Sequence, residues 1–347
     1  MTELIYFDFA ATTPLHPSVR DAMMPHLDHA FGNPSATYDL AAEARRAIDT
    51  ARASMANALG CTTNEVIFTS GGTESINAAI KGVAFAQQLA RVGNHIVTTA
   101  IEHHAVLHTC QYLEKFGFDV TYLPVNRDGL VDPADVAHAL HERTVLVSVM
   151  TANNEIGVIE PVAEIVKAVR ERAAALKRRI PIHTDAVQGA NALDLNVDEL
   201  GVDLLSLSSH KFYGPKGSGI LYLRRGTPYL PQQSGGGQER QRRAGTENVA
   251  GIVGTGQAIE RAVANREAYA AICAQLQTKL IEGILSAIGG AELNGHRTRR
   301  LPNNQMKLTA PRARRLACGH GLPRACSPVG SHRRGSLSGC STNAWEP

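Results

Sequence analysis

The chain has 347 residues, enough for a large core and two domains, and its 44% hydrophobic content is that of a soluble globular protein with no apolar run long enough to span a membrane. The net charge of +3 is uneven: from Arg297 onward ten Lys/Arg stand against one acid, Glu346, so the remainder carries 25 basic and 31 acidic residues. A nucleic-acid reading of the charge would rest on that basic tail alone.

The N-terminus "MTELIYFDFAATTP" lacks the basic flank and apolar stretch of a signal peptide. The periodicity predicts a helix over "AAEARRAIDTARASMANALG", stopped by Gly60. "EVIFTS" reads as a strand and "TESINAAIKGVAFAQQLA" as a helix. "HIVTTA" is a strand, "AVLHTCQYLEKFG" a helix and "DVTYLPV" a strand. "DPADVAHALHE" is a helix, "TVLVSVM" a strand and "VAEIVKAVRERAAALK" a helix. "IPIHTDA", "DLLSLSS" and "GILYLRR" follow as strands. This alternation predicts an α/β fold with a mostly parallel sheet, and the continuous apolar strands predict cover on both faces. A long helical region over residues 247–288 leads toward a second domain.

Several strand ends carry candidate chemistry. "FTSGGTES" places Gly72 and Thr73 where a strand gives way to a helix. Free N–H groups there and a hydroxyl suit a phosphate, and the bland alternative is an ordinary capped helix start. It is no P-loop, since no Gly-Lys-Ser/Thr follows. "IEHHAVLHTC" holds His103, His104 and His108. His104 and His108 share a helical face but lack a third ligand, so packing is the better reading for them. His103, at a strand end, offers a flat imidazole ring for stacking on an aromatic cofactor. "HTDAVQG" brings Asp185 and Gln188 to the carboxyl edge of the sheet, where ligands bind, although Asp185 alone would pass for a helix cap. "MTANNEIG" adds Asn153 and Asn154. "LLSLSSHKFYGPKG" ends an apolar strand on Ser208, His210 and Lys211.

In combination these residues are what pyridoxal 5′-phosphate asks for. Its phosphate needs hydroxyls and a helix start, its ring nitrogen a carboxylate, and its aldehyde a lysine able to lose a proton. Burial lowers a lysine pKa by disfavouring the ammonium.

The segments "YFDFAATTPLHPSVRDAM", "FGNPSATYDLAAEAR", "VIFTSGGTESINAAIKG", "ANNEIGVIEP", "HTDAVQGA", "SLSSHKFYGPKGSGILY" and "GGGQERQRRAGTENVAGIVG" resemble the cysteine desulfurase family of class V, fold type I pyridoxal-phosphate enzymes. The resemblance covers residues 4–304 in order. It implies a large cofactor-binding domain over 1–255, the start of a small domain over 256–304, and a divergent tail over 305–347. By the same resemblance Lys211 is the amine that condenses with the cofactor. His103 stacks on its ring, Asp185 pairs with the ring nitrogen and Gln188 approaches the ring hydroxyl. Gly72, Thr73, Ser208 and His210 hold the phosphate, and Asn154 contacts cofactor or substrate. Thr246 in "RRAGTEN" reaches the phosphate of a partner subunit, which implies a homodimer. The implied reaction takes sulfur from L-cysteine, giving alanine and an enzyme persulfide that feeds iron–sulfur cluster assembly or tRNA thiolation.

The tail departs from the family. Past "RLPNN" the small-domain pattern is lost, as a reading-frame shift would produce, and four prolines and three of the six cysteines fall there. "RACSPVGSH" faintly echoes the family's persulfide loop and makes Cys326 the candidate sulfur carrier, ahead of Cys318 and Cys340. With no CxxC pair, the cysteines indicate neither a zinc ribbon nor a disulfide framework, and a cytoplasmic location is expected. Two other readings stay open: a cofactor-binding paralogue that makes no persulfide, and a related lyase or aminotransferase such as a selenocysteine lyase.

Overall fold

The computed structural model describes residues 5–304 and the backbone of Leu308 and Thr309. In chain order the elements are α1 (Pro17–Leu27), α2 (Asp39–Leu59), β1 (Val66–Thr69), α3 (Gly72–Leu89), β2 (His95–Thr99), α4 (His104–Glu114), β3 (Asp119–Leu123), α5 (Pro133–His138), β4 (Thr144–Ser148), α6 (Val162–Ala175), β5 (Ile182–Asp185), α7 (Val197–Leu200), β6 (Leu204–Ser208), β7 (Gly219–Leu223), α8 (Gln238–Gln241), α9 (Val249–Ala287), β8 (Glu292–Leu293) and β9 (Leu308–Thr309).

Seven strands form one sheet in the order β1-β7-β6-β5-β4-β2-β3. Every pairing from β6 to β3 is parallel, and β7 runs antiparallel to both β6 and β1. The expected mostly parallel α/β sheet is what is found, with β7 as the one reversed strand. The reversal follows from the short "FYGPKGSG" connection, which is too brief for a parallel crossover and returns the chain beside β6.

Two apolar layers cover the sheet. On one face Ile76, Ile80 and Val83 of α3 pack with Val106 and Leu113 of α4. On the other, Ile48 and Met55 of α2 pack with Ile165 and Val169 of α6 and Ile252 and Ile259 of α9. Strands β4, β5 and β6 are buried along their whole length, as strands covered on both faces are. The polar exceptions are partnered: His183 joins Ser148 and Ser206 at 2.9 Å each, tying three strands together, and burial pushes its pKa down to about 3.

Helix α9 runs unbroken for 39 residues. Its first turns are buried, whereas Ile272, Leu276 and Leu280 on its later turns are about half exposed. Beyond it the strip Arg299–Asn304 folds back on the loop after β4.

Candidate active site

The carboxyl ends of β5 and β6 and the start of α3 open on one cavity of about 1390 Å³. Its lining includes Gly72, Thr73, His103, Asn154, Asp185, Gln188, Ser208, His210 and Lys211. Nine of the ten cofactor positions expected from the sequence are therefore brought together. Thr246 is the exception: it is exposed on the loop before α9 and does not line the cavity. Cys326, like Cys318 and Cys340, lies outside the described residues.

Lys211 closes a single 3-10 turn, Ser209–Lys211, that ends β6. The turn is fixed by crowding. A Cβ at Gly214 would sit 2.0 Å from Ser209 Oγ, so the chain can double back there only on glycine. Tyr213 takes φ +65°, held by the Thr13 hydroxyl, which accepts from Tyr213 N–H at 2.8 Å. The Lys211 amine donates to the carbonyls of Ala10 (2.5 Å) and Ala11 (2.8 Å). Its pKa is lowered by burial, against the opposing pull of Asp185 and Asp8.

Asp185 ends β5 fully enclosed. Burial raises its carboxyl to about 6, and the Val187 N–H at 3.0 Å and the Lys211 charge work in the opposite direction. An acid so placed gains from a cation beside it, which a ring N–H⁺ supplies. His103 is the cap of α4: its Nδ1 accepts from Ala105 N–H at 3.0 Å. Burial and the nearby Lys211 lower its pKa, so the ring is neutral near pH 7 and carries its proton on Nε2.

The phosphate end is set by α3. Its cap residue is Gly71, and no side chain satisfies the first N–H groups of the helix. A Cβ at Gly72 would meet Val187 Cγ2 at 2.9 Å and Ser208 Cβ at 3.2 Å, so glycine is what lets α3 start against β5 and β6. Open helix-start donors, the Thr73 and Ser208 hydroxyls and His210 form a donor set suited to a dianion. His210 Nδ1 pairs with Thr12 Oγ1 at 3.0 Å. The Gln188 amide donates to Ala10 O at 3.1 Å. The residues present thus fit pyridoxal phosphate: an anion cradle, an enclosed acid, a flat neutral ring and an amine share one cavity.

Several members of the site escaped the sequence reading. Ala10, Ala11 and Thr12 grip Lys211 and His210 through backbone and hydroxyl oxygens, a role no side-chain pattern announces. Glu102, fully buried and outside the cavity lining, accepts from Thr99 Oγ1 (3.0 Å) and from the N–H of the lining residue Met150 (2.7 Å), and desolvation holds its carboxyl well above the usual range. Tyr269 and Cys273 of α9 also line the cavity. Burial raises the Cys273 thiol, and a hydrogen bond from the Tyr269 phenol opposes that rise. Asn153 is structural, its amide fixed on Ile101 O, Glu155 N and Ile156 N.

The family of class V aminotransferases matches residues 5–314. The chain is 52% identical over 304 residues to a cysteine desulfurase IscS from Dictyoglomus turgidum, covering 88% of this chain and 75% of that one. The chain belongs to the cysteine desulfurase family. A cysteine desulfurase IscS from Methanosarcina thermophila is 50% identical over 300 residues, 86% of this chain and 72% of its own. A solved NifS-like protein superposes with a TM-score of 0.82 at 39% identity, covering 86% of this chain and 80% of that chain. The structure titled SspA in complex with cysteine matches with a TM-score of 0.70 at 42% identity, over 74% and 72% of the two chains. As members of a fold type I family, such chains depend on pyridoxal phosphate, in agreement with the cavity.

Proposed function

We propose that this desulfurase takes the sulfur from L-cysteine, leaving L-alanine. The observation that carries the reading is that neighbouring strands β5 and β6 deliver Asp185 and Lys211 into one cavity, an acid for a ring nitrogen and an amine for an aldehyde. Bound there, pyridoxal phosphate supplies a sink for the electron pair of the substrate Cα–H bond.

Each residue then has a task. Lys211 would hold the cofactor through its amine and would be the base for the substrate Cα proton. Asp185 keeps a proton on the ring nitrogen. Neutral His103 offers a ring face. Gly72, Thr73, Ser208 and His210 hold the phosphate, and Asn154 and Gln188 are the remaining polar contacts. Cys326 is the proposed thiol that attacks the substrate sulfur. A sulfur–sulfur bond forms, the carbon–sulfur bond breaks, and the carbon takes its electron pair and a proton to become the alanine methyl. The persulfide then serves an acceptor protein, for iron–sulfur cluster assembly or tRNA thiolation. Thr246, exposed on its loop, is proposed to reach the phosphate of a second copy in a cytoplasmic homodimer.

The test is spectroscopic. Purified protein should be yellow, and Lys211→Ala should lose that absorbance while keeping its fold. A colourless wild-type protein that takes up no added pyridoxal phosphate yet folds correctly would overturn the reading.

A further inference from the structure

The geometry points to Asn304 as the positioning residue of the loop that presents Asn154 to the cavity, with Gln277 of α9 locking Asn304 in place. Asn304 is 3% exposed. Its Nδ2 donates to the backbone carbonyl of Asn154 at 2.9 Å, an atom 150 residues away in sequence. A carbonyl only accepts, so this bond fixes which way the amide faces. The Oδ1 is buried without a partner among the described residues, so the amide is held to the loop through its nitrogen.

The neighbouring carbonyls of the same loop are occupied from the same strip. Leu301 N–H donates to Gly157 O at 2.8 Å, and the Arg300 guanidinium donates to Ile156 O at 3.1 Å. Gly157 has φ +71°, and a Cβ on it would meet the Asn304 side chain at 3.1 Å, so the loop and Asn304 are fitted to each other. Gln277 Nε2 then donates to both Leu301 O (2.8 Å) and Asn304 O (2.7 Å), with Gln277 itself 8% exposed. A line of hydrogen bonds thus runs from the middle of α9 through Asn304 to the Asn154 backbone. On its other side the loop is held by Asn153, leaving Asn154 as the residue turned over to function.

The inference rests on the reading that Asn154 serves the bound cofactor or cysteine, and the test separates the two. Asn304→Leu and Gln277→Leu are compared with wild type by hydrogen–deuterium exchange of the cofactor-free protein. Both variants should exchange the amides of Glu155, Ile156 and Gly157 about tenfold faster, with the β4, β5 and β6 amides unchanged, as the loss of a buried hydrogen bond implies. In the loaded enzyme the KM for cysteine should rise about tenfold while the cofactor absorbance stays. Gln277 does not line the cavity, so an effect there on cysteine binding must come through the loop. Unchanged loop exchange in a variant whose sheet remains protected would overturn the inference. A wild type that binds no pyridoxal phosphate would overturn the functional reading and leave the exchange comparison to decide this one.

Discussion

Arg52 and Glu239 meet in a two-pronged ion pair, 2.7 Å at each contact, with both side chains almost fully buried. Glu239 also accepts from Phe68 N–H at 3.1 Å, and Arg52 donates to Val66 O at 2.8 Å, so the pair fastens α2 and β1 to the turn α8. That turn needs fastening. Glu239, Arg240 and Gln241 all have φ between +45° and +62°, a left-handed run that non-glycine residues adopt at a cost. Removing one partner strands the other charge in the core. Glu239→Ala and Arg52→Ala should each lower stability by about 3–5 kcal/mol. The double variant should lose far less than the sum, and urea titration of all three checks it.

Asp185 should prove dispensable for holding the cofactor but not for using it. Its proposed place is at the ring nitrogen, whereas the proposed phosphate cradle on α3 and β6 is separate. Asp185→Asn should keep a yellow protein and lower the turnover of cysteine by roughly a hundredfold. Equal turnover in the variant would remove Asp185 from its assigned role.

His103 has a second duty as the cap of α4. His103→Ala should cost about 1 kcal/mol of stability in the cofactor-free protein. His103→Asn, which retains a capping oxygen, should recover most of that without restoring activity. Thermal melts beside turnover assays distinguish the two duties.

In the cofactor-free protein the buried carboxyl of Glu160 should take away stability as pH rises from about 4.5 to 7, in opposition to His183, whose pKa of about 3 makes the native state gain over the same range. Burial raises Glu160 to about 7, with the Val131 N–H opposing. A carboxyl with a raised folded pKa binds a proton that the unfolded chain has released. The native state is therefore favoured at low pH, and that advantage fades through the folded pKa. For Glu160 alone the change is on the order of 3 kcal/mol. Asp185, raised to about 6, adds to it from about pH 4 upward. Glu160→Gln should remove its downward contribution, so the variant should gain in denaturation free energy relative to wild type as pH rises from 5 to 7.

If Cys326 carries the sulfur, persulfide trapping after a single turnover should label it, and Cys326→Ala should abolish the label. Labelling of Cys273, which lines the cavity on α9, would transfer the role to that residue.

The sheet was legible because six of its seven strands are runs of four or five buried residues, β3 being the partly exposed edge, and because β5 and β6 end on residue types that a core does not want. Asp185, Ser208 and Lys211 stand out for that reason. Gly72 and Thr73 were legible because a strand-to-helix junction needs a tight turn. Asn304 was not legible: "RLPNN" has the look of a loop, and its bond to Asn154 exists only once α9 carries the chain back across the molecule. The grip of Ala10 and Ala11 on Lys211 was hidden likewise, since backbone oxygens leave no trace in residue type. The left-handed run in α8 ran against its residues' preferences, and only the buried ion pair explains it.

That grip on Lys211 has a kinetic side. Two carbonyls occupy the Lys211 amine, while burial lowers its pKa and so favours the neutral form that can react. Covalent loading must break both contacts before the nitrogen can attack. Encounter with pyridoxal phosphate should therefore be fast and capture slow: the N-terminal segment acts as a safety catch, and the lysine is armed only when that segment yields.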